Sequence, residues 1–194
     1  MAASLSFPKE VKVYYSRFAE FNKEDWLVYV VWVGMMLGLL LAVSVFLLFG
    51  AINGVSYPTY VWNVPFGIAI FSFAIATDTI GHRTVYKEEL EKAEALVHHI
   101  TIFCGVGSCV LLTMAYDYPE FLTIPALVLV FLSVFYSMVD EWMHWKRYME
   151  QKSDRVEMWS HFGIFCGHMI MIASWVWWYF DGYPGVAETL ALLS

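Results

Sequence analysis

Long apolar runs alternate with short polar segments along this chain. The runs cover about 27–50, 61–80, 98–116, 122–144 and 159–180. Each is long enough to cross a bilayer, which takes about 20 apolar residues. Each is predicted as a helix, because an isolated strand in lipid would leave its backbone groups unpaired. The pattern therefore predicts an all-α integral membrane protein with five transmembrane helices. Lys9, Glu10, Lys12, Arg17, Glu20, Lys23, Glu24 and Asp25 precede the first run. That run is too long for the apolar part of a signal peptide and lacks a clear small-residue cleavage site, so it reads as a retained anchor.

Composition agrees with the pattern. The chain of 194 residues is 60% apolar, 19% aromatic and 15% charged, whereas soluble domains carry roughly a quarter charged residues. Acidic residues outnumber basic ones, 18 to 11, so the electrostatic footprint of a nucleic-acid binder is missing. The basic residues are unevenly placed. All 11 fall in three segments: Lys9 to Lys23, Arg83 to Lys92, and Lys146 to Arg155. Five spans put those segments on one side. The other side holds 51–60, 117–121 and 181–194, without Lys or Arg. The positive-inside rule then predicts a cytoplasmic (inner) membrane location with the N-terminus inside and the C-terminus outside. Trp62, Trp175, Trp177, Trp178 and Tyr179 form an outer aromatic belt, and Trp26, Trp142, Trp145 and Trp159 an inner one. Cys104, Cys109 and Cys166 all fall within spans and read as small packing residues.

Sliding the chain against itself by 62 residues aligns Asp78 with Asp140, His82 with His144, Tyr86 with Tyr148 and His99 with His161. It also aligns Ile102-Phe103-Cys104-Gly105 with Ile164-Phe165-Cys166-Gly167. Matches among Asp, His and Cys-Gly are much harder to obtain by chance than matches of apolar residues. Two spans make one unit, so the copies enter the membrane in the same sense, related by an axis along its normal. The predicted organisation is a cytoplasmic segment (1–26), an added transmembrane helix (27–51), two helical hairpins (61–118 and 121–181) and an outer tail (182–194). The hairpins, extended at their cytoplasmic ends, form a four-helix bundle of spans two to five. Turns are expected near 89–92 and 152–154.

Asp78 and His82 are four residues apart and share a helix face, as do Asp140 and His144. His99 and His161 are expected at matching height on the facing helices. Asp78, His82, His99, Asp140, His144 and His161 then form a polar layer at the cytoplasmic edge of the hydrocarbon. Ionisable residues inside spans are costly and mark functional sites. One carboxylate and two imidazoles per copy is a set that suits non-haem iron and also zinc. Two copies across a pseudo-dyad predict a dinuclear metal centre, with iron first and zinc or copper as alternatives. Glu141 is a further candidate ligand, since Glu141-x-x-His144 has the spacing of carboxylate-bridged di-metal bundles. His98 and His168 are additional candidates, and Tyr86 and Tyr148 candidate hydrogen-bond partners of the ligands.

This ligand pattern is similar in kind to helical-bundle di-metal proteins and to histidine-rich membrane di-iron hydroxylases and desaturases. The hydroxylase histidine boxes are absent apart from His98-His99, so no catalytic residue is assigned from the resemblance. Three functions follow from the chemistry. The first is a di-iron oxidoreductase acting on a lipid-soluble substrate at the cytoplasmic membrane boundary. The second is a metal-binding accessory subunit or metal-handling protein of a membrane complex. The third is an electron-transfer subunit, with haem b on His99 and His161 or linked to quinone. The expected partners are the bilayer, other membrane subunits or a redox partner. No dinucleotide, P-loop or serine-hydrolase motif is present.

Overall fold

A computed structural model describes residues 6–85, 92–151 and 154–194. Among them every regular element is helical. Seven α-helices follow in order: α1 (Phe7–Ser16), α2 (Lys23–Ile52), α3 (Asn63–Thr84), α4 (Lys92–Met114), α5 (Pro119–Gln151), α6 (Arg155–Phe180) and α7 (Val186–Leu193). Helices α2 to α6 are long and apolar enough to cross a membrane, the build of a membrane protein. Several run beyond the apolar cores read from sequence, α5 chiefly at its C-terminal end, which reaches Gln151.

Local sequence explains the ends. Asn22 caps α2 by accepting from the backbone N–H groups of Glu24 and Asp25, while the Asp25 carboxylate accepts from Asn22 N–H at 3.1 Å. This reciprocal box satisfies amides that the first turn leaves without helical partners. Asp25 also accepts from Arg83 Nε at 2.8 Å, which ties the start of α2 to the end of α3. Asp154 caps α6 through Val156 N–H at 2.9 Å. Large apolar side chains such as Val30, Leu41, Phe73, Phe103, Phe121 and Phe131 face outward. An apolar exterior is the inverse of a soluble protein and suits a lipid solvent.

The helices pair in a way the order along the chain does not suggest. The most extensive packing is α3 against α6 and α4 against α5, and α5 also meets α6. Among the described residues, the α3 and α4 backbones do not approach closely, although the helices follow one another and the His82 and His98 ring centroids are 5.3 Å apart. Helix α2 packs on α3, and among the described residues its backbone does not come close to that of α4. Glycines set the α3–α6 contact. A Cβ on Gly67 would lie 2.5 Å from Met171 N, and one on Gly167 would lie 2.6 Å from Phe71 N. The two backbones thus touch at a reciprocal glycine pair, a common way to bring helices together in lipid. The α4–α5 contact is looser: Gly107 makes room for the Leu129 side chain, and Gly105 has open space over its Cα.

The far end is closed by an apolar core that includes Leu47, Ile68, Leu112, Trp175 and Trp178. There Trp175 Nε1 donates to the Tyr183 hydroxyl at 3.2 Å, which donates to Leu112 O at 2.6 Å. Tyr57 bonds Thr189, seating α7. At the opposite, basic end, α1 lies across α3 and α6. Tyr14 is fully buried there, and its hydroxyl accepts from Gly81 N–H at 3.0 Å. Burial first, and then the nearby Asp78 and Glu157 charges, push the Tyr14 phenol far above its usual range.

Candidate metal centre

Four helices deliver polar side chains to one layer near the basic end. Helix α3 supplies Asp78 and His82, α4 supplies His98, α5 supplies Asp140, Glu141 and His144, and α6 supplies Glu157 and His161. The layer follows from helix geometry and pairing. Asp78/His82, Asp140/His144 and Glu157/His161 are each four apart, hence stacked one turn above another. The α3–α6 and α5–α6 contacts then face these stripes inward.

Two three-residue groups emerge, each of two imidazoles and one carboxylate: His82, His144 and Glu157, and His98, Asp140 and His161. In each, one donor atom from every residue lies within 4.8 Å of the others. The groups touch, because the His144 and His161 rings stack with centroids 3.4 Å apart and planes 11° from parallel.

In the second group, Asp140 Oδ2 lies 3.2 Å from His98 Nδ1 and 3.2 Å from His161 Nε2. His161 is oriented from behind by Glu141 Oε2, 2.9 Å from its Nδ1. Glu141 is itself held by Trp145 Nε1, which donates at 2.5 Å. In the first group, His144 Nδ1 lies 2.9 Å from the Asp140 backbone carbonyl, and its Nε2 lies 3.6 Å from Glu157 Oε1. Both central histidines are thus held at Nδ1, and both turn Nε2 toward a carboxylate. An orienting bond on one ring nitrogen is what metal-ligating histidines ordinarily have. Glu157 also accepts from Arg147 at 2.6 Å. Asp78 lies beside this group, with Oδ2 3.2 Å from His82 Nε2.

The donor chemistry fits a cation. Asp78, Asp140, Glu141 and Glu157 are all buried. Among the described residues the fixed positive charge facing them is that of Arg147. Asp78 Oδ1 and Asp140 Oδ1 are buried without a hydrogen-bond partner there. Buried carboxylate oxygens without a partner are costly, and a cation is one group that would satisfy such an oxygen.

The placement of the sequence candidates is uneven. Asp78, His82, Asp140, Glu141, His144 and His161 come together. In α4 it is His98 that reaches Asp140, while His99 is exposed and borders a shallow pocket with Asp78 and His82. The rotation of α4 is the reason: neighbours on a helix differ by about 100°, and packing on α5 turns His98 inward. His168 stands apart, about 10 Å along α6 from His161 by helical rise. Tyr148 packs edge-on to Trp145, with centroids 6.2 Å apart. Tyr86 and the expected turn at 89–91 lie outside the described residues, as do Lys152 and Ser153. Glu157 was not among the candidates. Its signal is the Glu157-x3-His161 spacing, which lies outside the repeat because Ala95 occupies the equivalent position.

An apolar cavity of about 190 Å³ opens beside the second group. It runs from His98, Asp140 and His161 toward Met171, in the gap between α3 and α4, with α2 side chains across it. No family model matches this sequence, and comparisons with curated proteins and with solved structures find no match.

Proposed function

We propose that this chain is a membrane-embedded dinuclear metalloprotein, a non-haem di-iron oxidoreductase acting on a lipid-soluble substrate. One observation carries the reading: two groups of two imidazoles and one carboxylate touch, and the second of them stands at the polar end of an apolar cavity. That donor set suits non-haem iron, with zinc and copper as the alternatives. His82, His144 and Glu157 would hold one ion, and His98, Asp140 and His161 the other. When bound, the pair would supply oxidation chemistry with dioxygen as oxidant, its electrons coming from a redox partner. The chain's own part is to orient His161 through Glu141, hold His144 through the Asp140 carbonyl, and admit the substrate between helices. A small ion is favoured over haem, since His98 and His161 both reach the same oxygen of Asp140. The haem reading needs His99 with His161, and His99 is exposed beside the pocket it shares with Asp78 and His82.

The proposal extends to architecture and orientation. A pseudo-dyad exchanging α3 with α5 and α4 with α6 would map the α3–α6 contact onto the α5–α4 contact, in keeping with the 62-residue repeat. The basic end is proposed to face the cytoplasm. The decisive experiment is elemental analysis and a UV–visible spectrum of detergent-purified protein. About two irons per chain without a Soret band is the expected result. A Soret band transfers the histidines to haem, and absence of any stoichiometric metal ends the proposal.

A further inference from the structure

His168 sits in the wall of the cavity, away from both three-residue groups. It is 4% exposed. Its Nδ1 lies 3.0 Å from Ser137 Oγ on α5. Its Nε2 is buried with no hydrogen-bond partner among the described residues. Ser137 and His168 both line the cavity, and most of the remaining lining is apolar, including Ile68, Phe71 and Met171. A serine hydroxyl can donate or accept; where it donates to Nδ1, the ring proton lies on Nε2 of this cavity-lining histidine. A buried donor without an acceptor is costly, so the wall asks for an oxygen.

We infer that the cavity binds an uncharged, lipid-soluble molecule through a carbonyl oxygen that accepts a hydrogen bond from His168 Nε2. Around His168 the lining includes Ile68, Phe71 and Met171, so a charged head group held at that end would lack the partner that a charge taken out of water needs. Size limits the occupant further. An engineered cavity of roughly 150 Å³ accepts benzene, so 190 Å³ suits a segment of on the order of ten non-hydrogen atoms by that comparison. Entry is lateral. Helix α2 packs on α3, and among the described residues its backbone does not come close to that of α4, so the α2–α4 seam faces the bilayer. The carbonyl held at His168 would place the rest of the molecule about 10 Å along α6, against Asp140 and His161. The inference deepens the proposed oxidoreductase by naming the substrate class, and it rests on that reading only for the word substrate.

The test is equilibrium binding of radiolabelled 2-undecanone and of undecane to the full chain in nanodiscs, over empty nanodiscs, with metal content measured on the same samples. The expected result is one saturable ketone site per chain, with the alkane about tenfold weaker, the ratio that one net hydrogen bond gives. His168→Leu should abolish the ketone's advantage. Gly105 lines the cavity with open space over its Cα, so Gly105→Leu should fill it and block both probes in a folded protein. Equal binding of ketone and alkane overturns the inference, as does a ketone advantage that survives His168→Leu. Undiminished ketone binding in Gly105→Leu overturns it independently of how His168→Leu folds. Ketone binding in protein that retains no metal upholds the inference while removing the metal reading. Stoichiometric metal without ketone binding does the reverse.

Discussion

The two three-residue groups have the same composition and opposite surroundings. His82, His144 and Glu157 draw on α3 and α6, whose backbones touch farther along at Gly67 and Gly167, and Arg147 closes over Glu157. His98, Asp140 and His161 lie on the loose side, where the gap between α3 and α4 becomes a cavity. Identical ligand types therefore do not imply identical work. The closed group suits an ion that stays put, and the open group suits contact with a guest. The same contrast appears between equivalent positions of the sequence repeat. Gly167 has a neighbouring backbone where its Cβ would be, whereas Gly105 has empty space.

The strongest way to break this comparison is Asp140→Ala. It removes the oxygen shared by His98 and His161. Metal affinity at the open group should fall by more than the 10–100-fold typical of losing an outer partner, leaving about one ion per chain by elemental analysis. Retention of both ions would refute the assignment of the groups. Glu141→Ala touches only the orienting bond to His161, and a loss of about 10–100-fold in affinity is expected, read by chelator competition. Gly167→Ala should destabilise the fold by about 1–3 kcal/mol, the usual range for an overfilled contact, while Gly105→Ala should shift thermal unfolding in detergent by little. If the two glycines respond alike, the tight and loose sides are not distinct. The smallest effect is at the surface. Hydrogen bonds from Arg155 hold the Glu10 carboxyl below its ordinary value of 4.5. This pair therefore adds stability above that pH and loses it as pH falls through the lowered value. Glu10→Gln should remove that acid dependence, lowering stability slightly near neutrality where the pair is intact and leaving it unchanged in strong acid, as read by unfolding curves from strongly acidic to neutral pH.

Much of this was legible in the sequence. Five apolar runs became five apolar helices, because lipid-facing helices carry their signal in composition alone. The layer of Asp78, His82, Asp140, His144 and His161 was legible too, since four-residue spacing on a helix fixes height and face. What could not be read is rotation. The repeat aligned His99 with His161, yet α4 turns His98 to Asp140, a choice made by its packing on α5. Glu157 escaped for a related reason: it has no counterpart in the first copy, so symmetry gave no hint of it. Pairing was hidden as well. Order along the chain suggests α3 beside α4, and the glycines instead join α3 to α6.

That glycine contact reaches further than packing. Gly67 and Gly167 carry no polar side chain, yet they are the datum from which donor positions on two helices are measured. Along α3 the distance from Gly67 to Asp78 is about 16 Å, and along α6 from Gly167 to His161 about 9 Å, by helical rise. With backbones in contact, neither helix can slide without a clash. The ruler for the ligand spacing is therefore kept in the apolar part of the molecule. Copying the polar residues onto another bundle would transplant the letters of the site without its scale, and the crossing would have to be moved with them.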